Sequence, residues 1–211
     1  MLTAMARTTQ SARRGRTRAV DVEAVLLDAA HRLLESEGVE ALTVRRVATE
    51  AGVAPMGIYH RFGGKDGLAE ELFIDGNRRL GEAMQQVEVG DALDELREGC
   101  RQYRRFALAH PALYAVMFER AVPGFEPSPA ALESCTRSFG VLVDCVRRAQ
   151  AAGVLRSGDA VGYAQRIWSA CHGAVSLELR QIGFMEDLDA QYEGLISTLV
   201  DGLAPASPGA S

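Results

Sequence analysis

Lysine is almost missing from this 211-residue chain: Lys65 stands alone against twenty-two arginines. Tryptophan occurs once, aromatic residues make up 6% of the chain, and there are only four cysteines, Cys100, Cys135, Cys145 and Cys171. No two cysteines form a CxxC and no histidine sits at zinc-ligand spacing from a cysteine pair, which argues against a zinc site or a thioredoxin-like motif. The cysteines are expected to act as small buried apolar residues. Long hydrophobic runs are missing too. The longest uncharged stretch, Phe106 to Phe118, is interrupted by His110 and Pro111 and falls short of the ~18 residues of a membrane span. The basic N-terminus lacks an apolar signal core, so a cytoplasmic location with no membrane partner is expected. Sustained period-two alternation is also lacking, which speaks against a sheet. Catalytic constellations are absent in the same way. No nucleophile–base pair, paired carboxylates, phosphate loop or metal cluster appears, so neither an enzyme nor a cofactor is expected.

What is present is charge asymmetry. The net charge of −5 hides five arginines and no acid in residues 1–20, eight acids and five bases in 21–66, and a net of −7 beyond. A basic arm ahead of an acidic body points to a nucleic-acid partner at the N-terminal end.

Apolar residues recur at spacings of three and four, predicting helix throughout. Val25, Leu26, Ala29, Ala30, Leu33 and Leu34 form one stripe, with Asp21 as N-cap and Gly38 as stop. Thr43 caps a short second helix that ends at Gly52. Pro55 suits the first turn of a third, ending near Phe62. A fourth runs from Lys65 to about Val89, and later helices are predicted over 91–109, 111–120, 128–152, 159–182 and 187–203. The organisation that follows is a basic arm over 1–19, a head over 20–80, a body over 81–203 and a Pro/Ser/Ala/Gly-rich tail over 204–211. Arm and tail are expected to be disordered in the free protein.

Residues 43–62, TVRRVATEAGVAPMGIYHRF, read as two short helices around a tight glycine turn, locked by Val44, Val47, Ala48, Val53 and Ile58. This is the sequence form of a helix-turn-helix, whose second helix enters the major groove. Short helix pairs inside ordinary bundles share that form. The run Ile58-Tyr59-His60-Arg61-Phe62-Gly63-Gly64-Lys65-Asp66-Gly67-Leu68, with LTVRRVATEAGV upstream, resembles the recognition-helix exit of TetR/AcrR-type regulators over about residues 20–80. The resemblance implies that Tyr59 and Lys65 bind phosphates and that Arg45 reaches bases. Physical chemistry adds that Lys65 at a helix N-terminus makes a phosphate clamp and that an arginine such as Arg45 suits guanine. Pro55, Met56 and Gly57 open the third helix. Met56 can touch a thymine methyl, and His60 a base edge or phosphate. Arg46 can turn to solvent or to an acidic side chain. Three departures from the pattern stand out. Ala54 replaces a capping Ser or Thr, Gly57 replaces a Thr, and Arg61 replaces an aromatic residue or His and would meet phosphate by charge. Arginines in the 13–18 stretch are expected to lie in the flanking minor groove.

In the body, Trp168-Ser169-Ala170-Cys171-His172-Gly173 with Leu177-Glu178-Leu179 resembles a Trp-His-Gly subclass of these regulators, over about residues 90–200. That implies a helical domain for dimerisation and ligand binding, so the expected fold is all-α: a three-helix helix-turn-helix domain followed by a helical bundle. Small residues Ala170, Gly173 and Ala174, with Leu195, Ile196, Leu199 and Val200, suit a two-fold four-helix interface. Tyr103, Tyr114, Met117, Phe118, Trp168 and His172 are candidates for lining an inducer pocket, with plain core packing the alternative for each. Arg101, Arg104 and Arg105 read as a solvated face. The expected function is a homodimeric repressor, released from a palindromic duplex operator by a small-molecule inducer, with the fourth helix as lever. The competing possibilities are a helical small-molecule carrier or enzyme using the His172 region, and a structural helical dimer.

Overall fold

A computed structural model describes residues 22–85 and 90–205. Among them the regular structure is entirely helical. The basic arm, the Asp21 cap, the end of the fourth helix beyond residue 85 and most of the tail fall outside the described residues. The chain forms two compact units, one of residues up to Phe73 with Ala115–Pro127, the other of Ile74–Tyr114 with Ser128 onward. The division falls inside the fourth helix, earlier than the residue-80 boundary read from the sequence.

In the first unit, α1 spans residues 22–37 and buries Leu26, Ala29, Ala30, Leu33 and Leu34. Gly38 stops it with φ +79°, and its N–H returns to the Leu34 carbonyl at 3.0 Å. A short 3-10 turn, Val39–Ala41, which the sequence did not announce, carries Leu42 into the core. The Thr43 hydroxyl then accepts the Arg46 N–H at 3.3 Å and starts α2, Val44–Glu50. Gly52, at φ +67°, lets the Val53 N–H return to the Ala48 carbonyl at 3.0 Å, a Schellman stop. Pro55 has helical dihedrals ahead of α3, Met56–Phe62, which buries Ile58 completely. In Ala115–Pro127, the Phe125 ring lies 6.3 Å from Phe73.

α4, Lys65–Gln85, begins in the first unit and continues into the second. The second unit also holds α5, Ala92–Ala109, the start of α6, Pro111–Phe118, and α7, Pro129–Ala151. It is completed by α8, Ala160–Leu179, and α9, Leu188–Leu203. Asp91, Ser128, Asp159 and Asp187 cap α5, α7, α8 and α9, each accepting first-turn N–H groups. Leu96, Cys100, Tyr103 and Ala107 make the buried stripe of α5. Two helices end sooner than their periodicity predicts. α6 stops at Phe118, before Arg120 at φ +52°. α8 stops at Leu179, because Gln181 adopts φ +56° and the Ile182 N–H returns to the Leu177 carbonyl at 2.9 Å. A Schellman stop built without glycine leaves little local trace in the sequence.

All four cysteines are free thiols, with Cys100, Cys145 and Cys171 buried and Cys135 partly so. A hydrogen bond with Cys171 together with burial pushes Cys100 well above the ordinary thiol range. Among the described residues no helix is long and apolar enough to cross a membrane, and no three metal-ligating side chains converge.

The arginine face of α5 is a correction. Arg104, expected in solvent, is only 15% exposed. Its Nε and Nη2 grip both oxygens of Glu178 at 2.7 and 2.6 Å, and Nη1 meets Asp189 at 2.6 Å. Its guanidinium lies 5.3 Å above the Tyr192 ring, whose hydroxyl donates to the Cys100 carbonyl at 2.9 Å. Arg101 meets Glu193 at 2.7 Å, and Arg105 pairs with Glu98. α5 is therefore fastened to α8 and α9 through bonds between residues about seventy-five to ninety positions apart, which periodicity does not register.

Candidate functional site

The outer surface of the helix pair comes directly from its inner packing. Ile58, Val47 and Ala48 point inward, so positions half a turn away on α3 must point out. Met56 is 60% exposed and Tyr59 54%, and Pro55 and His60 are exposed as well, with Gly57 partly so. Arg45 is exposed at the start of α2. The Tyr59 ring is held over the turn: a Cβ on Gly64 would lie 3.7 Å from its Cε1. Lys65 follows as the first residue of α4, half-exposed. Among the described residues, no acidic side chain pairs with Arg45 or Lys65.

The other two arginines of the motif are occupied. Arg46 pairs with Glu37 of α1, the acidic contact left open by the sequence. Arg61, partly buried, places Nη1 3.5 Å from Oε2 of Glu23.

A feature missed in the sequence is Gly67. A Cβ there would lie 1.7 Å from the Phe62 carbonyl oxygen. The α3–α4 turn therefore closes only around a hydrogen atom. Gly67→Ala is expected to cost about 1–3 kcal/mol, read as a lower denaturation midpoint, and to weaken duplex binding through displacement of Tyr59 and Lys65. Unchanged stability and binding would show that the turn yields freely.

In the second unit, four of the six proposed lining residues touch one another. Trp168 Nε1–H donates to the Tyr103 hydroxyl at 3.3 Å, and the Tyr103 and Tyr114 hydroxyls are 2.9 Å apart. His172 Nδ1 lies 2.6 Å from the Tyr114 hydroxyl and 3.1 Å from that of Tyr103. In the His172 tautomer protonated at Nε2, every donor points down one chain that ends on Nδ1. Burial pushes the Tyr103 phenol up to about 12, despite its hydrogen bonds with Tyr114 and Trp168, so it stays neutral and able to donate. Trp168 and His172 are half-exposed, and Phe139, which the sequence did not single out, lies 6.0 Å from the Trp168 ring. The cross-helix partners carry no spacing signal. Met117 and Phe118 belong to the first unit, since α6 passes from one unit to the other after Tyr114.

A family model described as "Bacterial regulatory proteins, tetR family" matches residues 26–72, and one described as "Tetracyclin repressor-like, C-terminal domain" matches 96–199. Between them they take in most of the chain, which belongs to the TetR family of regulators, a non-enzyme class. The description of the C-terminal match does not name the Trp-His-Gly subclass. The chain is 26% identical over 145 residues to the HTH-type transcriptional regulator Rv1816 of Mycobacterium tuberculosis, covering 66% of this chain and 62% of that protein's length. It is similar at 30% identity and a TM-score of 0.77 to a structure of a protein of unknown function from Rhodococcus sp. RHA1, over 87% of this chain and 96% of that one. The TetR family regulator PfmR from Thermus thermophilus shares the fold at 22% identity and a TM-score of 0.63, over 85% and 99%.

Proposed function

We propose that the protein is a sequence-specific DNA-binding repressor that acts as a homodimer on a palindromic operator and is released by a small molecule. The observation that carries this is the outward face of α3, with Met56, Tyr59 and His60 exposed and Lys65 beside them. Arg45, Pro55, Met56, Gly57 and His60 supply base and groove contacts. Tyr59 and Lys65 anchor the backbone without reading sequence.

One such helix reads only a few base pairs, so two copies are needed for a site of useful length. The second copy is assigned to the α8–α9 end. There Leu177, Ile182, Met185 and a fully exposed Phe184 line a groove of about 620 Å³ with Ala174 and Leu188. Exposed apolar surface of this kind marks an interaction site. Ile196 and Val200, expected in that interface, are buried within the chain's own core, leaving Leu195 and Leu199 half-exposed.

The inducer is assigned to the Tyr103–Tyr114–Trp168–His172 cluster, whose aromatic faces and single hydrogen-bond chain suit a mostly apolar molecule. It releases DNA only by binding one arrangement of the dimer better than the other. α4, shared by both units, is the element through which that preference acts. Selection of bound duplexes from a random pool tests the function. Enrichment of two inverted half-sites is expected, and a pool left without enriched sequence would refute it.

A further inference from the structure

We infer that Glu23 is an internal stand-in for a DNA phosphate, holding Arg61 out of the backbone contacts and restraining how strongly the head binds any duplex. The inference rests on the DNA-binding function proposed above.

Arg61 lies in the last turn of α3, two residues beyond Tyr59 and four before Lys65, where a cation would be expected to meet the DNA backbone. Its guanidinium is instead turned to α1, 3.5 Å from the Glu23 carboxylate. A carboxylate and a phosphate are the two anions that the arginine fork fits best, so the two compete for the same guanidinium. A phosphate that engages Arg61 either displaces Glu23 or shares the guanidinium with it, and in both cases brings a second anion close to that carboxylate. The exchange replaces one anion by another and adds a like-charge repulsion, so Arg61 contributes little to counterion release. Lys65 and Arg45, with no acidic partner among the described residues, keep their full charge for DNA.

The pair has little other use. Glu23 is 53% exposed, and ion pairs of that exposure contribute little to stability. A restraint has a clear use, however, in a chain whose N-terminal twenty residues carry five arginines and no acid. Such an arm binds every duplex alike, and excess sequence-independent attraction leaves a regulator on the wrong sites.

The test uses the full chain with a palindromic duplex from the selection and an unrelated duplex of equal length, titrated at several salt concentrations. Glu23→Gln is expected to tighten binding to both by about 3–10-fold at low salt. It is also expected to steepen the slope of log affinity against log salt by about one per head. Arg61→Gln alone should change little, and in the Glu23→Gln background it should remove the gain. Unchanged affinity and slope in Glu23→Gln would overturn the inference. So would a loss in Arg61→Gln as large as in Lys65→Ala, since Arg61 would then already be on a phosphate. A large drop in the melting temperature of Glu23→Gln would make the pair structural and overturn it as well. Failure of the unsubstituted protein to bind any duplex would instead remove the proposed function, and the inference with it.

Discussion

Lys65→Ala is expected to weaken binding to the selected palindrome by about 10–100-fold. It should also flatten the salt dependence by about one per head, two for the dimer. The single lysine of the chain is the first residue of α4. Helix N-terminal amides and the ammonium together favour an anion there. A phosphate contact is blind to sequence, so the enriched half-site should be unchanged while affinity falls on every duplex. Tyr59→Phe removes one hydroxyl and keeps the ring over Gly64, so a smaller loss, about 3–10-fold, is expected with no change in slope. An altered half-site in Lys65→Ala would mean that the lysine reads bases. Unaltered affinity and slope would remove it from the interface.

The second large effect concerns stability. Arg104→Ala is expected to cost about 2–4 kcal/mol and to lower the melting temperature by about 5–15 °C. The two partners Arg104 and Glu178 are 15% and 14% exposed and doubly bonded. Removing the cation leaves the Glu178 carboxylate in a poorly hydrated position, and the stacking over Tyr192 goes with it. Arg101→Ala is the control. Its partner Glu193 is 47% exposed, and a loss below about 1 kcal/mol is expected. The pH dependence of that control has a definite sign. The hydrogen bond from Arg101 holds the Glu193 carboxyl below its ordinary range. Its contribution is therefore complete above the unfolded-state pKa and is lost as pH falls through the folded one. Equal losses for the two arginines would show that burial of the Arg104 pair counts for nothing.

Much of the first unit was legible before any coordinates. Thr43, Gly38, Gly52 and Gly63 each act within three to five residues of themselves, through a cap or a left-handed turn. The outward face of α3 follows from the inward Ile58 by helical geometry alone. The Tyr59–Lys65 spacing carried the family resemblance, and the family models match the region. Less was legible where one helix meets another. Arg104 looked like a solvated arginine because Glu178 is seventy-four residues away. Gly67 looked like an ordinary glycine in a motif because the atom that excludes a side chain, the Phe62 carbonyl oxygen, belongs to the preceding helix. Nothing in the spacing of Tyr103, Tyr114, Trp168 and His172 announced the hydrogen bonds that join them across three helices.

By itself the sequence determined the helical class, the order of the helices, the position of the helix-turn-helix and the residues on its outer face. Periodicity, capping and glycine turns act over one or two helical turns, and a linear string records them completely. Only the tertiary structure decided which charges are neutralised and which remain available. Arg46 and Arg61 answer to acids of α1, Arg104 to acids of α8 and α9, while Lys65 and Arg45 meet none among the described residues. An ion pair depends on where two side chains end in space, and chain separation says nothing about that distance until the helices are packed.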